Sequence, residues 1–319
     1  MITEYLLYYM GALSQYNWLV LINPVAGKGW AQHRWKRLSQ YFNNAGIGHT
    51  AFTTKGKRHA ESLCLQKLSS FNAVLSIGGD GTNNEVINGL MRHPDINSRQ
   101  VIFGHFPAGS SNDLARYYKI PSNFDRWISR MENSTVIKQD LGEVLFGMDP
   151  EQIRYFANVA GVAYDAFIAK NTSRKGITSW KYFLAIFRHL NDFSPQQVTI
   201  DSEENRYSGS TYSINFGITP FSGGGMQIVP HAVPDDGLMA VTLVKKLPKW
   251  KIVINSLRLF NGQIGKLAEV SQWQTKKARI EQNKNSNEQV LLEVDGECIG
   301  EIPCTFRISE HQLNILVPN

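Results

Sequence analysis

Cysteine is scarce, with three in 319 residues. Cys64, Cys298 and Cys304 are an odd set without the paired spacing of a zinc site. They fit a reducing compartment and read as packing residues. Long apolar runs are also missing. Nothing approaches the roughly 18 uninterrupted residues of a membrane span, and the longest candidates, Trp18 to Ile22 and Phe183 to Phe187, are core-sized. The stretch Met1 to Gln15 carries Glu4 and no basic n-region, so no signal peptide is expected and cytoplasm is the expected compartment. No internal repeat is visible. The net charge of +6 comes without a zinc finger, basic zipper or aromatic-basic RNA-binding pattern, so no nucleic-acid partner is expected. That charge suits a nucleotide or an anionic membrane surface, or is simply a solvated basic surface.

What is present describes a globular protein, 42% hydrophobic and 19% charged. Its length suggests two domains. The first 140 residues alternate short apolar runs with helical segments, as parallel βαβ units do. Strands are expected at Trp18 to Ile22, near His49 to Thr53, at Ala73 to Ile77 and at Val101 to Phe106. Each ends in a loop rich in Gly, Asn, Asp, Ser or Thr. Four such loops at one carboxyl edge of an open α/β sheet mark the edge where ligands bind.

The third of these loops is the most informative. Ala73-Val74-Leu75-Ser76-Ile77 runs into Gly78-Gly79-Asp80-Gly81-Thr82, and Asn84-Glu85-Val86 opens a helix. Glycines at a strand end let backbone N–H groups approach an anion, and the helix N-terminus adds its positive dipole end. Asp80 stands where a magnesium ion bridging phosphates needs a hard oxygen ligand.

After Asp140-Leu141-Gly142 the pattern becomes strands separated by polar turns, read as an antiparallel β-sandwich or open barrel with a few helices. Hairpins are expected between Val198–Asp201 and Tyr207–Ile218, and between Lys277–Gln282 and Gln289–Val294. Ile177 to Leu190 and Trp250 to Leu259 keep helical spacing. The expected domains are 1–140, completed by 306–319, and 141–305.

These motifs resemble the soluble bacterial diacylglycerol-kinase-like lipid kinases, whose catalytic domain is shared with sphingosine and ceramide kinases. The matching pieces are Asn23-Pro24-Val25-Ala26-Gly27, Thr54 with His59-Ala60, Gly78 to Thr82 with Asn84-Glu85-Val86, and Pro107 to Ser110 with Asn112 to Arg116. Asp140-Leu141-Gly142, Asn158 to Gly161 with Asp165-Ala166, Gly223 to Gly225 with Pro230 and Ala232, Asp235-Asp236-Gly237 and Asp295-Gly296-Glu297 follow in the family's order. NAD kinases and some phosphofructokinases carry a similar glycine motif, but the Asn-Pro loop and the Ser110-Asn112-Asp113 loop separate the cases.

The resemblance implies a phosphofructokinase/NAD-kinase-like α/β nucleotide-binding domain followed by an antiparallel β-sandwich domain, with the lipid headgroup in a cleft between them. It implies ATP and magnesium as cofactors and a lipid substrate met at a membrane surface, diacylglycerol-like, by a peripherally associated cytoplasmic enzyme. Gly79, Gly81 and Thr82 would line the triphosphate, with Asn23, Pro24, Gly27, Thr54, Gly78, Ser110 and Asn112 around the nucleotide and Lys28 within reach of phosphate. Asp80 would take the catalytic magnesium. Asp295 or Glu297 would orient or deprotonate the lipid hydroxyl. A second, structural magnesium would be held by the Asp236 carboxylate and the backbone carbonyls of Val233 and Leu238. Ser110 replaces a threonine common in the family, and both offer a hydroxyl. Lys170, Arg174, Lys181 and Arg188 are the candidate cations toward anionic lipid. A homodimer is compatible with the sequence.

Other readings stand beside these. The acceptor could be soluble, NAD for example, or the chain could be an inactive nucleotide- or lipid-binding regulator. Asn23-Pro24, Asp236-Gly237 and Asp295-Gly296 are also ordinary turn signals, and Asp113 is a candidate helix cap. His59, His105 and His231 read as capping or core histidines. The face of Trp180, Phe183, Leu184 and Phe187 reads as core packing, with membrane docking as the alternative.

Overall fold

The computed structural model describes residues 11–95, 100–147, 152–172, 179–283 and 289–319. The chain divides into two compact units, Met1–Gln139 with His311–Asn319, and Asp140–Glu310.

Among the described residues the first unit is built on a six-stranded sheet. Strands β1 (Trp18–Ile22), β2 (His49–Thr53), β3 (Ala73–Gly78) and β4 (Ile102–Pro107) lie in the order β2-β1-β3-β4, all parallel. β1 and β3 are buried at every position, as parallel strands covered on both faces are. The strand Leu313–Pro318 then lies parallel to β4 and antiparallel to β5 (Ser134–Gln139). Trp18 explains part of the packing. Its ring reaches past Leu75 to Gly104, where a Cβ would stand 2.9 Å from Cζ3. Its indole N–H donates to the Leu13 carbonyl at 2.8 Å, so the fully buried ring leaves no polar atom unmet. The helix Trp30–Asn44 buries Ala31, Leu38 and Phe42. Phe124–Met131, capped by the Asn123 carboxamide on Arg126 N, brings Trp127 onto Phe106 with centroids 4.8 Å apart.

The second unit is an antiparallel sheet of eleven strands among the described residues. It comprises β6 (Gly142–Phe146), β7 (Gln152–Phe156), β8 (Val159–Ala163), β9 (Gln196–Ser202), β10 (Arg206–Gly217), β13 (Met239–Lys245), β14 (Val270–Thr275), β15 (Lys277–Gln282), β16 (Leu291–Val294), β17 (Glu297–Glu301) and β18 (Cys304–Ile308), while β11 (Phe221–Ser222) and β12 (Met226–Gln227) pair separately. β10 is the branch point. Residues 206–211 pair with β9, residues 213–217 pair with β8, and β13 follows on the other edge. The register shift between Thr211 and Ser213 marks the bend. The result is a sandwich-like sheet around one core in which Phe216 stacks on Phe306 at 4.0 Å. Gly142 is small because the Phe156 ring fills the space, with Cζ 2.0 Å from where a Cβ would be.

Two expectations change. The β9–β10 hairpin forms, but Lys277–Gln282 does not pair with the segment ending at Val294. β15 lies between β9 and β18, while β16 pairs with β8 and β17. The two-residue Asp295-Gly296 loop makes the tighter hairpin, and alternation alone does not name a strand's partner. The return to the first sheet also comes later than Phe306, because Cys304–Ile308 is tied to β6 and β15. Residues 177–178 and Arg174 lie outside the described residues.

Candidate active site

At the carboxyl edge of the first sheet, β3 ends at Gly78 and a helix begins at Asp80. The N-cap between them, Gly79, is extended and offers no side-chain acceptor to the first turn. That leaves a helix start whose backbone donors suit an anion.

Three loops meet there through backbone alone. The amides of Ala108 and Gly109 donate to the Gly78 carbonyl at 2.6 and 3.1 Å. A Cβ on Gly109 would stand 2.5 Å from the Gly79 Cα, and one on Gly79 would stand 2.9 Å from the Gly109 Cα. Gly27, with φ +59°, has the Ala108 carbonyl oxygen 2.4 Å from its missing Cβ. Backbone packs on backbone at these glycines, so none of them leaves room for a Cβ.

Side chains lock the junction. Asn23 N donates to the Ile77 carbonyl at 3.0 Å, its carboxamide donates to Thr82 Oγ1 at 3.0 Å, and its Oδ1 accepts from Val25 N at 3.3 Å. Asn112, left-handed at φ 50°, accepts from Gly109 N and donates to Gly109 O at 2.9 and 2.8 Å. An Asp80 carboxylate oxygen accepts from Leu114 N at 3.4 Å, which ties the glycine junction to the helix Asp113–Tyr117. Asp113 is the first residue of that helix rather than its cap, and it faces Arg116 at 3.9 Å. Thr54 is buried beside β1, its N–H on the Ile22 carbonyl at 2.8 Å. Lys28 and Ser110 are exposed, and Pro24 and Gly81 are half-buried.

Beneath the junction lies a polar relay that sequence reasoning did not assign. Ser76 Oγ donates to Asn83 Oδ1 at 2.7 Å, and the Asn83 amide meets the His105 ring at 3.2 Å. His105 is fully buried, and burial pushes its pKa down to about 4, so the ring is neutral. Glu85, also buried, accepts from Arg58 N and Ala60 N at 2.8 and 3.0 Å and caps the helix His59–Lys67. Arg34 donates to the Pro107 carbonyl. Glu85 was visible within the Asn84-Glu85-Val86 match, and a carboxylate among apolar neighbours must find donors. Arg34 carries no comparable sequence signal.

The remaining candidates belong to the second unit. Asp295 and Gly296 are both left-handed, at φ 44° and 76°, and form the tight turn between β16 and β17. The buried Asp295 carboxylate accepts from the backbone N–H groups of Ala157, Asn158 and Val159 at 3.1–3.3 Å. Glu297 is half-buried at the start of β17. Asp236 stands in a different turn, its oxygens accepting from Leu238 N at 3.0 Å and Gln274 Nε2 at 2.6 Å. Asp140 braces that turn: its carboxylate accepts from Gly237 N at 2.7 Å, and its own N–H donates to Pro234 O at 2.6 Å. Val233 is exposed and Leu238 half-buried. Among the described residues no three His, Cys, Asp or Glu side chains cluster as metal ligands. An ion at this turn would have one carboxylate, backbone carbonyls and water, a set of hard oxygens that suits magnesium. Lys170 and Arg188 are exposed, and the side chain of Lys181 lies outside the described residues. His59 Nδ1 accepts from Lys55 N at 3.0 Å, and His231 Nε2 lies 2.9 Å from the Trp273 carbonyl oxygen.

Residues 17–144 match the diacylglycerol kinase catalytic domain, and residues 158–317 match the YegS C-terminal NAD kinase beta sandwich-like domain. "Putative lipid kinase YtlR" of Bacillus subtilis (strain 168) is 27% identical over 94% of this chain and 99% of its own length. A "Diacylglycerol kinase" of Staphylococcus carnosus (strain TM300) is 24% identical over 94% of both. In fold, the chain is similar to a solved structure from Bacillus anthracis str. Sterne described as "a putative diacylglycerol kinase", with TM-score 0.74, 19% identity, and coverage of 96% of this chain and 98% of that one. The first unit is thus the catalytic domain of an ATP-using kinase, and the chain belongs to the bacterial lipid kinase family that joins a diacylglycerol kinase catalytic domain to a YegS-type C-terminal domain.

Proposed function

We propose that this kinase transfers the γ-phosphate of ATP, with magnesium, to the hydroxyl of a lipid, diacylglycerol-like, as a cytoplasmic enzyme peripherally bound at a membrane. The observation that carries the reading is the side-chain-free meeting of Gly27, Gly79 and Gly109 at a helix start with Asp80 beside it. The names of the relatives point to the same substrate class.

In this reading the backbone from Gly78 to Thr82 holds the triphosphate, with Asn23, Pro24, Gly27, Thr54, Ser110 and Asn112 bounding the nucleotide and Lys28 adding charge from the first loop. Asp80 holds the catalytic magnesium, directly or through water, and the Asp236 turn with the Val233 and Leu238 carbonyls holds a structural one. Magnesium supplies neutralisation of phosphate charge. The lipid hydroxyl oxygen bonds to the γ-phosphorus, the bond to the bridging oxygen breaks, and ADP leaves. The transition state is loose, so positioning dominates and the hydroxyl proton leaves late. A carboxylate is a sufficient acceptor for it. Asp295, held by three backbone donors, or Glu297, the second carboxylate of that turn, orients or deprotonates the hydroxyl.

The test is transfer of labelled γ-phosphate to a panel of lipids in mixed micelles, with NAD and water as controls and Asp80→Asn alongside. Label in one lipid, lowered at least about a hundredfold by the substitution, supports the reading. Label in NAD alone would sink it, and so would ATP binding with no transfer to any lipid tested.

A further inference from the structure

The second unit carries a helical segment with its apolar stripe turned outward. The helix Lys249–Asn255 continues into the 3-10 turn Ser256–Leu259. Trp250, Ile254 and Leu257 are 63%, 65% and 71% exposed, and Val253 and Phe260 are exposed as well. Positions 250, 253, 254 and 257 have the i, i+3, i+4, i+7 spacing that normally faces a core. The core-facing side is made by other residues. Ile252 packs on the large core of the unit, and Leu259 packs on the cluster of Phe183, Met226 and Ile228. The segment is therefore anchored from behind while its most apolar residues meet solvent.

Charge identifies the occupant. From Lys245 to Ala268 the chain holds Lys245, Lys246, Lys249, Lys251, Arg258 and Lys266 and no acidic residue. Lys246 and Lys266 are exposed at either end, and Lys251 is paired with Glu269 at 2.5 Å. An apolar stripe flanked by cations is the design of a helix lying in the interface of an anionic bilayer, with the aromatic ring at headgroup depth. A second copy of the same face would oppose cation to cation, whereas an anionic lipid surface complements it.

We propose that Lys249–Phe260, with the cations that flank it, is the surface by which this protein docks on anionic membranes. The proposal extends the lipid-kinase reading by naming the face that meets the bilayer. The helix Ser179–Arg188 adjoins this face: Phe183 is buried with its ring 5.0 Å from Phe260, Phe187 packs beside it and Leu184 is exposed, while the Trp180 side chain lies outside the described residues.

The full chain, without ATP, is floated with phosphatidylcholine vesicles with and without phosphatidylglycerol. Ile254→Glu/Leu257→Glu and Lys246→Gln/Lys266→Gln are compared with the parent, with circular dichroism to check folding. Binding is expected only with phosphatidylglycerol. It should weaken by at least about tenfold in the apolar variant and by about fivefold per removed cation at low salt. Trp250→Ser gives an independent apolar probe, with a smaller loss in the same direction. Unchanged flotation of the folded apolar variants would overturn the proposal. So would a parent dimer that becomes monomeric in the apolar variant by light scattering, which would make the face a contact between copies. Phosphoryl transfer to a water-soluble short-chain acceptor reports the kinase reading separately and is expected to be unchanged in these variants.

Discussion

In the first unit Gly27, Gly79 and Gly109 are glycine because neighbouring backbone occupies the place of their Cβ atoms. In the second unit Gly237, at φ +73°, has nothing within 4 Å of a Cβ, and Asp295 and Gly296 are set by the shape of a two-residue turn. The first arrangement is a surface made of backbone, which suits a polyanion and tolerates no side chain. The second is a turn whose conformation is replaceable and whose chemistry lies in the carboxylate it presents. Glycine thus carries packing information at the first unit's junction and conformational information at the Asp236 and Asp295 turns.

The contrast can be broken most sharply at Gly27. Gly27→Ala adds a methyl 2.4 Å from the Ala108 carbonyl oxygen at a positive φ. It should lower kcat/KM for ATP by about a hundredfold or more, because a displacement of about 1 Å at a positioning loop costs that much. Near-normal kinetics would show that the loop is not part of the nucleotide site.

A pH titration probes the support beneath the junction. The unfolded His105 imidazole titrates near 6.5 and the buried one at about 4. As pH falls through this window the unfolded state takes up the proton first. Stability is then lost from about pH 6.5 down to about pH 4, by about 3 kcal/mol in all. His105→Gln should flatten that slope by about one proton in denaturant unfolding followed against pH.

Asp295 separates turn shape from carboxylate. Asp295→Gly keeps the left-handed conformation but removes the acceptor for Ala157, Asn158 and Val159. It should cost about 1–3 kcal/mol in thermal unfolding and abolish transfer to lipid. If stability is unchanged, the turn alone matters. Gly237→Ala is expected to have the smallest effect, about 1 kcal/mol from the left-handed backbone alone, with ATP affinity intact.

Much of the first unit was legible because its signals are local. A buried apolar pentad such as Trp18–Ile22, a loop of Asn and Gly and an amphipathic helix repeat in order, and the loops of one parallel sheet must share its carboxyl edge. The glycine junction was legible for the same reason. Its partners were less so: the approach of Gly109 to Gly79 joins residues 30 positions apart, and the Ser76–Asn83–His105 relay depends on which helix face turns inward. In the second unit the strands at Val198–Asp201, Tyr207–Ile218, Lys277–Gln282 and Gln289–Val294 were visible but the pairing of β15 was not, since period-2 alternation is blind to partners. Trp250–Leu259 was legible as a helix, but its spacing did not tell which face lies outward.

The most direct measurement is equilibrium binding of a non-hydrolysable ATP analogue to the parent, Gly109→Ala and Gly237→Ala, each checked for folding by circular dichroism. A Cβ at Gly109 would lie 2.5 Å from the Gly79 Cα, so affinity should fall by at least about a hundredfold there and stay unchanged for Gly237→Ala. Equal affinity of the parent and a folded Gly109→Ala would contradict the assignment of this backbone junction to the triphosphate.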